Sequence, residues 1–225
     1  ACVLLQLDGN IILTDPVFSR RASPLPFLGP QRKTPPVLSV EQLHQLDAVV
    51  ISHNHYDHLD DATIRRILKR FPDVCCFVPL GLADWFRRRG AKRVVELDWW
   101  QSFTWQGMTL TAVPAQHWSM RTPWNRNRSL WCGWVMEGRH HRFWFSGDTG
   151  YSPELLLIPE RLGQIDAAAL PIGAYAPRWF MAVHHMDPQS AVALWQQLGC
   201  PLAFPIHWGV FELADEALGK VRTSS

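Results

Sequence analysis

No Cys-x-x-Cys pair occurs in the 225 residues, and the five cysteines are an odd number, with Cys75 and Cys76 adjacent. This excludes a disulfide framework and a thiolate zinc site, and leaves the buried, reduced thiols of a cytosolic protein. No apolar run approaches the ~18 residues that a spanning helix needs, and no signal peptide is visible. Charge of either sign is scarce: 19% of residues are charged and the formal net charge is +2. That is no electrostatic footprint for nucleic acid. The basic run Arg87-Arg88-Arg89, ahead of Gly90, reads as a solvated helix end. Repeats, low-complexity tracts and long linkers are absent, and the proline-rich segment 24–36 reads as a surface loop.

What the chain does have is a 47% hydrophobic content, enough for one domain, residues 1–225, with a sizeable core. Short apolar strands recur. Two of them flank Asp8-Gly9-Asn10, a hairpin turn signal. Others are expected over 48–52, 74–78, 108–113, 130–136, 142–145, 167–171 and 201–206. A helix is expected from a cap at Asp61, because Ile64, Ile67, Leu68 and Phe71 follow at helical spacing. A second runs from Asp187-Pro188 to Gly199, with Ala191, Leu194, Trp195 and Leu198 as its stripe. A third begins at Ser152-Pro153. Many short strands and few amphipathic helices give an α/β (α+β) class, two sheets with helices packed outside. Eight of the twelve tryptophans lie between Trp99 and Trp144. They serve as core filler or as an amphipathic rim, since indole suits an apolar–aqueous boundary.

The densest chemistry is VVISHNHYDHLDD, where His53, His55, Asp57 and His58 crowd a strand-to-helix loop. In extended backbone, residues i and i+2 point the same way, so His53 and His55 can bind one ion together. Asp57 and His58, past the bend, can reach a second. Four ligand-type side chains are too many for one ion with an open position, since catalytic zinc usually keeps three protein ligands. The same device, an apolar strand followed at once by a ligand-type residue, returns at His117, Asp148 and His207.

These residues carry a resemblance. With His53-x-His55-x-Asp57-His58, His117, Asp148 and His207, the chain resembles the metallo-β-lactamase fold superfamily. Within it the chain is most similar to the N-acylphosphatidylethanolamine-hydrolysing phospholipase D family, through PAQHWS, SLWCGWV, SGDTGYSP, PIGAYAPRWFM, HMDPQSA and IHWGVFELADE. The resemblance implies a four-layer αββα sandwich and two zinc ions per chain. It places His53, His55 and His117 on one ion, Asp57, His58 and His207 on the other, and Asp148 as the bridge. It also places His185 at the active site, as substrate orienter or proton donor. His184 is expected to be a bystander. Relatives usually carry a Trp-x-Gly-His segment before the first strand and a closing segment after the last histidine. Neither is found here, so the chain is expected to be trimmed at both ends.

Two ions ~3.5–4 Å apart can hold a hydroxide between them and neutralise charge on a phosphoryl oxygen. Phosphodiester hydrolysis then needs no serine or cysteine nucleophile. Catalytic roles are expected for Asp57, Asp148 and His185. Tyr56, between the ligands, is expected to face the pocket and, with His185, to bind substrate. Thr149 and Ser146 are expected to be hydrogen-bonding supports, and His44, His140 and His141 surface residues. The expected substrate is a lipid or small-molecule phosphodiester. Trp118, Trp124, Trp131 and Trp134 with Arg121, Arg126 and Arg128 are a candidate rim against lipid headgroups, making peripheral membrane contact. The expected location is the cytoplasm, with or without that contact. A homodimer is compatible with the sequence, which fixes no oligomeric state.

Alternatives on the same fold are a lactonase or a hydrolase of small or cyclic esters, and more remotely a di-iron redox protein or a non-catalytic scaffold. A β-lactamase would want a cysteine ligand near Asp148. A nuclease would carry an inserted domain, for which the 58 residues between Asp148 and His207 leave no room.

Overall fold

The computed structural model describes residues 2–215. Its first sheet joins β1 (Leu4–Leu7), β2 (Asn10–Thr14), β3 (Ala48–Val50), β4 (Cys75–Pro79) and β5 (Arg93–Leu97) in sequential order. The second joins β6 (Ser102–Trp105), β7 (Met108–Val113), β8 (Gly133–Glu137), β9 (Arg142–Phe145), β10 (Ala167–Pro171) and β11 (Leu202–Ile206), also in order. The helices are α1 (Asp61–Arg70), α2 (Ala83–Arg87), α3 (Leu157–Leu162), α4 (Arg178–Met181) and α5 (Pro188–Leu198).

Strand alternation builds the layers. Ala48, Val50, Cys75 and Phe77 face the interior between the sheets, where they meet Leu110, Ala112, Trp134, Met136, Phe143 and Phe145. Their neighbours Val49, Ile51, Cys76 and Val78 point the other way, onto Ile64, Ile67 and Leu68 of α1 and Phe86 of α2. On the second sheet Val113, Val135, Trp144, Ala168 and Leu170 face Ile158 of α3 and Ala191, Leu194 and Leu198 of α5. Three apolar interfaces between four layers make an αββα sandwich, because each strand with both faces covered sends apolar side chains both ways.

Most expected elements form, with corrections that have local causes. The cap of α1 is Asp60, whose carboxylate accepts from the Ala62 N–H. Asp61 is the first helical residue and pairs with Arg65 and Arg89. The expected 130–136 strand starts only at Gly133, because Leu130 N donates to Leu80 O and Cys132 N to Ser52 O, across to the other sheet's loops. From Ser152-Pro153 the chain makes a 3-10 turn before α3, capped by the Ser152 hydroxyl. The cap at Asp187, the stripe of α5 and left-handed Gly199 are as expected. Two strands were not expected: β5, Arg93–Leu97, whose RVVEL does not alternate, and the outer β6, whose SFTW alternates but is short and largely exposed. Arg89 is not a solvated end, for its guanidinium packs 3.5 Å above the Trp85 ring. Trp134 is core, fully buried with its indole N–H on Ile51 O at 2.8 Å, whereas Trp124 is 83% exposed. Among the described residues no helix is long and apolar enough to cross a membrane.

Candidate metal centre

Strand direction gathers the candidates. Strand β3 runs parallel to β2 and β4, and β9, β10 and β11 run parallel to one another. Strand β7 is antiparallel to β8, which is antiparallel to β9, so β7 and β9 point the same way. The C-terminal ends of β3, β7, β9 and β11 therefore open on one rim, and His53–His58, His117, Asp148 and His207 follow those ends. Close approach is allowed where glycine leaves room. A Cβ on Gly147 would collide with the Ser52 side chain, and one on Gly173 with the His207 carbonyl.

Seven side chains meet there in two groups. In the first, His53 Nε2 lies 2.9 Å from His55 Nδ1, and His117 Nε2 lies 3.2 Å from the same atom. In the second, His58 Nε2 is 3.2 Å from Asp57 Oδ2, and His207 Nε2 is 3.0 Å from it. Asp148 Oδ2 stands between the groups, 3.0 Å from His58 Nε2, 3.1 Å from His207 Nε2 and 3.9 Å from His117 Nε2. Ligand atoms within each group, with Asp148 in the second, all lie within 4.8 Å of one another.

Proton accounting shows which nitrogens are bare. A carboxylate only accepts, so His58 Nδ1–H donates to Asp15 Oδ2 at 2.6 Å and Ser52 Oγ–H donates to the same oxygen at 2.5 Å. Having spent its proton, the Ser52 hydroxyl accepts from His53 Nδ1–H at 2.9 Å. His117 Nδ1–H donates to His184 O at 3.1 Å. The Nε2 lone pairs of His53, His58 and His117 are thereby all turned inward. Lone pairs about 3 Å apart repel unless a cation lies among them, and the set fits divalent metal with nitrogen and carboxylate ligands. His58 Nε2, His55 Nε2 and Asp148 Oδ1 are buried with no hydrogen-bond partner, as coordinating atoms or their immediate neighbours would be.

The electrostatics ask for positive charge. Burial alone would raise Asp148, yet His207 and His58 beside it hold its carboxyl well below the usual range. Burial would lower His58, but Asp148, Asp57 and Asp15 carry it well above the imidazole range. Burial pushes His55 down to about 4, and His53 and His117 are also held low by burial.

Asp15 was not among the sequence candidates. It is fully buried, left-handed at φ 37°, and follows β2 as the ligands follow their strands. The strand-end device therefore occurs a fifth time, in LTDP, and could have flagged it. His185 is buried against both groups. Its ring stacks on His207 at 5.5 Å, and its Nδ1, which has no hydrogen-bond partner, lies 4.0 Å from Asp148 Oδ2. Burial pushes it down to about 4. His184 stands at the edge, its ring 5.9 Å from that of His117.

Tyr56, expected at the pocket wall, instead donates its hydroxyl to Arg121 O at 2.9 Å. Arg121, counted with the lipid rim, is turned inward onto Tyr56. The Thr149 hydroxyl accepts from Gln116 N and donates to Gly150 O. Ser146 donates to Ala169 O, so neither is a free nucleophile. His44, His140 and His141 are exposed.

Residues 10–208 match the family described as Beta-lactamase superfamily domain. The chain belongs to that family. It is 43% identical over 223 residues to N-acyl-phosphatidylethanolamine-hydrolyzing phospholipase D 1 of Caenorhabditis elegans, covering 95% of this chain and 63% of that protein. It is 32% identical to the mitochondrial N-acyl-phosphatidylethanolamine-hydrolyzing phospholipase D of Saccharomyces cerevisiae, covering 96% of this chain and 47% of that protein. The chain thus spans about half to two thirds of the length of these relatives. Among solved structures, an isothiocyanate hydrolase from Delia radicum gut bacteria superposes with a TM-score of 0.76 at 20% identity, over 99% of this chain and 87% of that one. Other similar proteins are named metal-dependent hydrolases, such as one from Methanopyrus kandleri, 27% identical over 92% of this chain and 80% of that protein.

Proposed function

We propose that this chain is a binuclear zinc hydrolase, a phospholipase D-type phosphodiesterase acting on amphipathic phosphodiesters like N-acylphosphatidylethanolamine. The observation that carries the two-ion reading is the position of Asp148 Oδ2, shared between two convergent ligand groups. His53, His55 and His117 would hold one ion, Asp57, His58 and His207 the other, and Asp148 both. The ions would supply an activated water and neutralise charge on a phosphoryl oxygen. The chain's own residues do the rest. Asp15 and Ser52 fix the tautomers of His58 and His53. His185, kept neutral by burial, offers a ring N–H to a phosphoryl or leaving oxygen beside Asp148. Asp57 also orients the attacking water.

The lipid half of the reading is supported by the relatives' names and by a cavity. An apolar hollow of about 390 Å3, walled by Val17, Phe18, Pro36, Leu38 and Phe211, ends at Asp57 and His207. Its size falls in the range of small-molecule sites, and we assign it to an acyl chain of the substrate. Trp124, with Arg126 and Arg128, remains as the surface that meets headgroups. Purified protein is to be assayed for metal and screened against phospholipids, lactones and cyclic phosphodiesters. Two zinc ions per chain, release of phosphatidic acid and a higher rate on micellar than on short-chain lipid are expected. One ion or none in active protein, or turnover of lactones alone, would sink the proposal.

A further inference from the structure

Arg121 lies outside the ligand set, and its surroundings are unusual. It is a half-buried guanidinium with no carboxylate within ion-pair distance among the described residues. One nitrogen, Nη1, donates to two main-chain carbonyls, Asn54 O at 2.9 Å and Leu59 O at 2.6 Å. These carbonyls bracket the loop that carries His55, Asp57 and His58. The guanidinium also lies 4.1 Å from the centroid of Tyr56, the residue in the middle of that loop, and Tyr56 returns its hydroxyl to Arg121 O. The Arg121 guanidinium also lies 5.5 Å from the ring of Trp85 of α2, itself covered by Arg89 at 3.5 Å. Tyr56, Arg121, Trp85 and Arg89 thus form one connected cluster of rings and cations.

The loop needs an external brace. Its own backbone bonds are His58 N to His55 O and Leu59 N to His55 O, which leave Asn54 O and Leu59 O to be satisfied from outside. Arginine suits this task, because one terminal nitrogen can donate to two acceptors while the planar guanidinium face stacks on aromatic rings. Moreover, Arg121 belongs to the segment that follows His117. It therefore ties a ligand of the second sheet to the loop that bears ligands from the first.

We infer that Arg121 is a positioning residue of the metal centre, which clamps the His53–His58 loop in its coordinating shape. The inference rests on the two-ion reading above. It removes Arg121 from the lipid-facing rim and gives a reason for an unpaired cation beside a centre that attracts positive charge. The guanidinium holds carbonyls, which accept, and stays outside the ligand groups.

The test is a zinc titration of metal-free protein against a chromophoric chelator, run well below the unfolding temperature of each variant. Arg121→Met should still take up two ions, but ~10–100-fold more weakly, the scale usual for residues that orient ligands. Arg121→Lys should recover little of this, since an ammonium that holds the carbonyls has no planar face to lay on the Tyr56 ring. The visible bands of the cobalt-loaded variant should shift with the altered ligand angles. A role in stability alone would lower the unfolding temperature and leave affinity and spectrum as in the parent, and that result in folded Arg121→Met overturns the inference. If Arg121→Met does not fold, Tyr56→Leu removes the stack and the hydroxyl bond to Arg121 O while keeping both carbonyl bonds of the guanidinium. Several-fold weaker zinc binding is expected there, and parental affinity overturns the clamp. A parent that takes up neither zinc nor cobalt overturns the two-ion reading and this inference with it. Two ions in the parent and unchanged affinity in the variants overturn the clamp alone.

Discussion

Changing Asp15 to asparagine should damage both the fold and the second ion site, without touching a ligand. The carboxylate accepts three bonds: Ser52 N at 2.7 Å on Oδ1, and Ser52 Oγ and His58 Nδ1 at 2.5 and 2.6 Å on Oδ2. An asparagine oxygen can keep the first. Its amide group then faces Ser52 and His58 with donors in place of an acceptor. Two charge-assisted bonds are lost, at roughly 1.5 kcal/mol each by the lower figure for such bonds, or about 3 kcal/mol together. For a protein of this size that is a fall of roughly 6–12 °C in Tm. The chemical effect is more specific. To accept from the new amide, His58 must give up its Nδ1 proton and carry it on Nε2, where it blocks coordination. Zinc should bind at the second group ~10–100-fold more weakly, while the first group keeps its ion. Calorimetric melting of metal-free protein and metal content after dialysis against a weak chelator would read both effects. A variant that melts within ~2 °C of the parent and retains two ions would refute the proton assignment at His58.

Asp148→Ala removes the oxygen that faces both groups, so activity should fall further than for loss of any one histidine, with metal content dropping below one ion per chain by elemental analysis. His185→Ala should retain its zinc while kcat falls ~10²-fold or more, the scale of one positioned acid–base or electrostatic group; loss of zinc instead would make it a ligand. The thiols of Cys75, Cys76, Cys132 and Cys200 are buried, and burial pushes Cys75 up to about 11 and Cys76 up to about 12. A colorimetric thiol reagent should leave these four unreacted in native protein and modify all of them in denaturant, whereas fast native reaction of more than one thiol would contradict the packing.

The sequence made the layers legible because strand alternation and helix stripes register burial directly: Ala48 and Val50 against Val49 and Ile51, or Ala191, Leu194 and Leu198 along one face. It was less informative where partners lie far away in the chain. Nothing near Leu130 says that its N–H will pair with Leu80 across the sandwich. Strand β5 exists because β4 offers an unpaired edge, not because RVVEL alternates. The seven ligand-type residues stood out because they cluster just past the ends of four apolar runs. Asp15 ends one too, but LTDP reads equally as a turn before proline. The tryptophans misled in part, since an indole at the rim and one in the core share the same composition. Only the fold separates exposed Trp124 from Trp134, and sends Arg121 inward while Arg126 and Arg128 stay outside.

Each proposed ion would take ligands from both sheets. His53 and His55 come from the first and His117 from the second; Asp57 and His58 from the first, and Asp148 and His207 from the second. A bound ion is then a rivet driven through two plates at one edge, while the apolar interior holds them only by contact. Removing it should loosen that edge first. The layers would part from the rim inward, like a book opening from its unbound side, and exchange of amide hydrogens should quicken at the C-terminal ends of β3, β7, β9 and β11 before it does in their middles. Metal supply would thus set how long the open form lives as well as whether chemistry occurs. At a free concentration 1,000-fold above its Kd, each such rivet adds about 4 kcal/mol to the closed form.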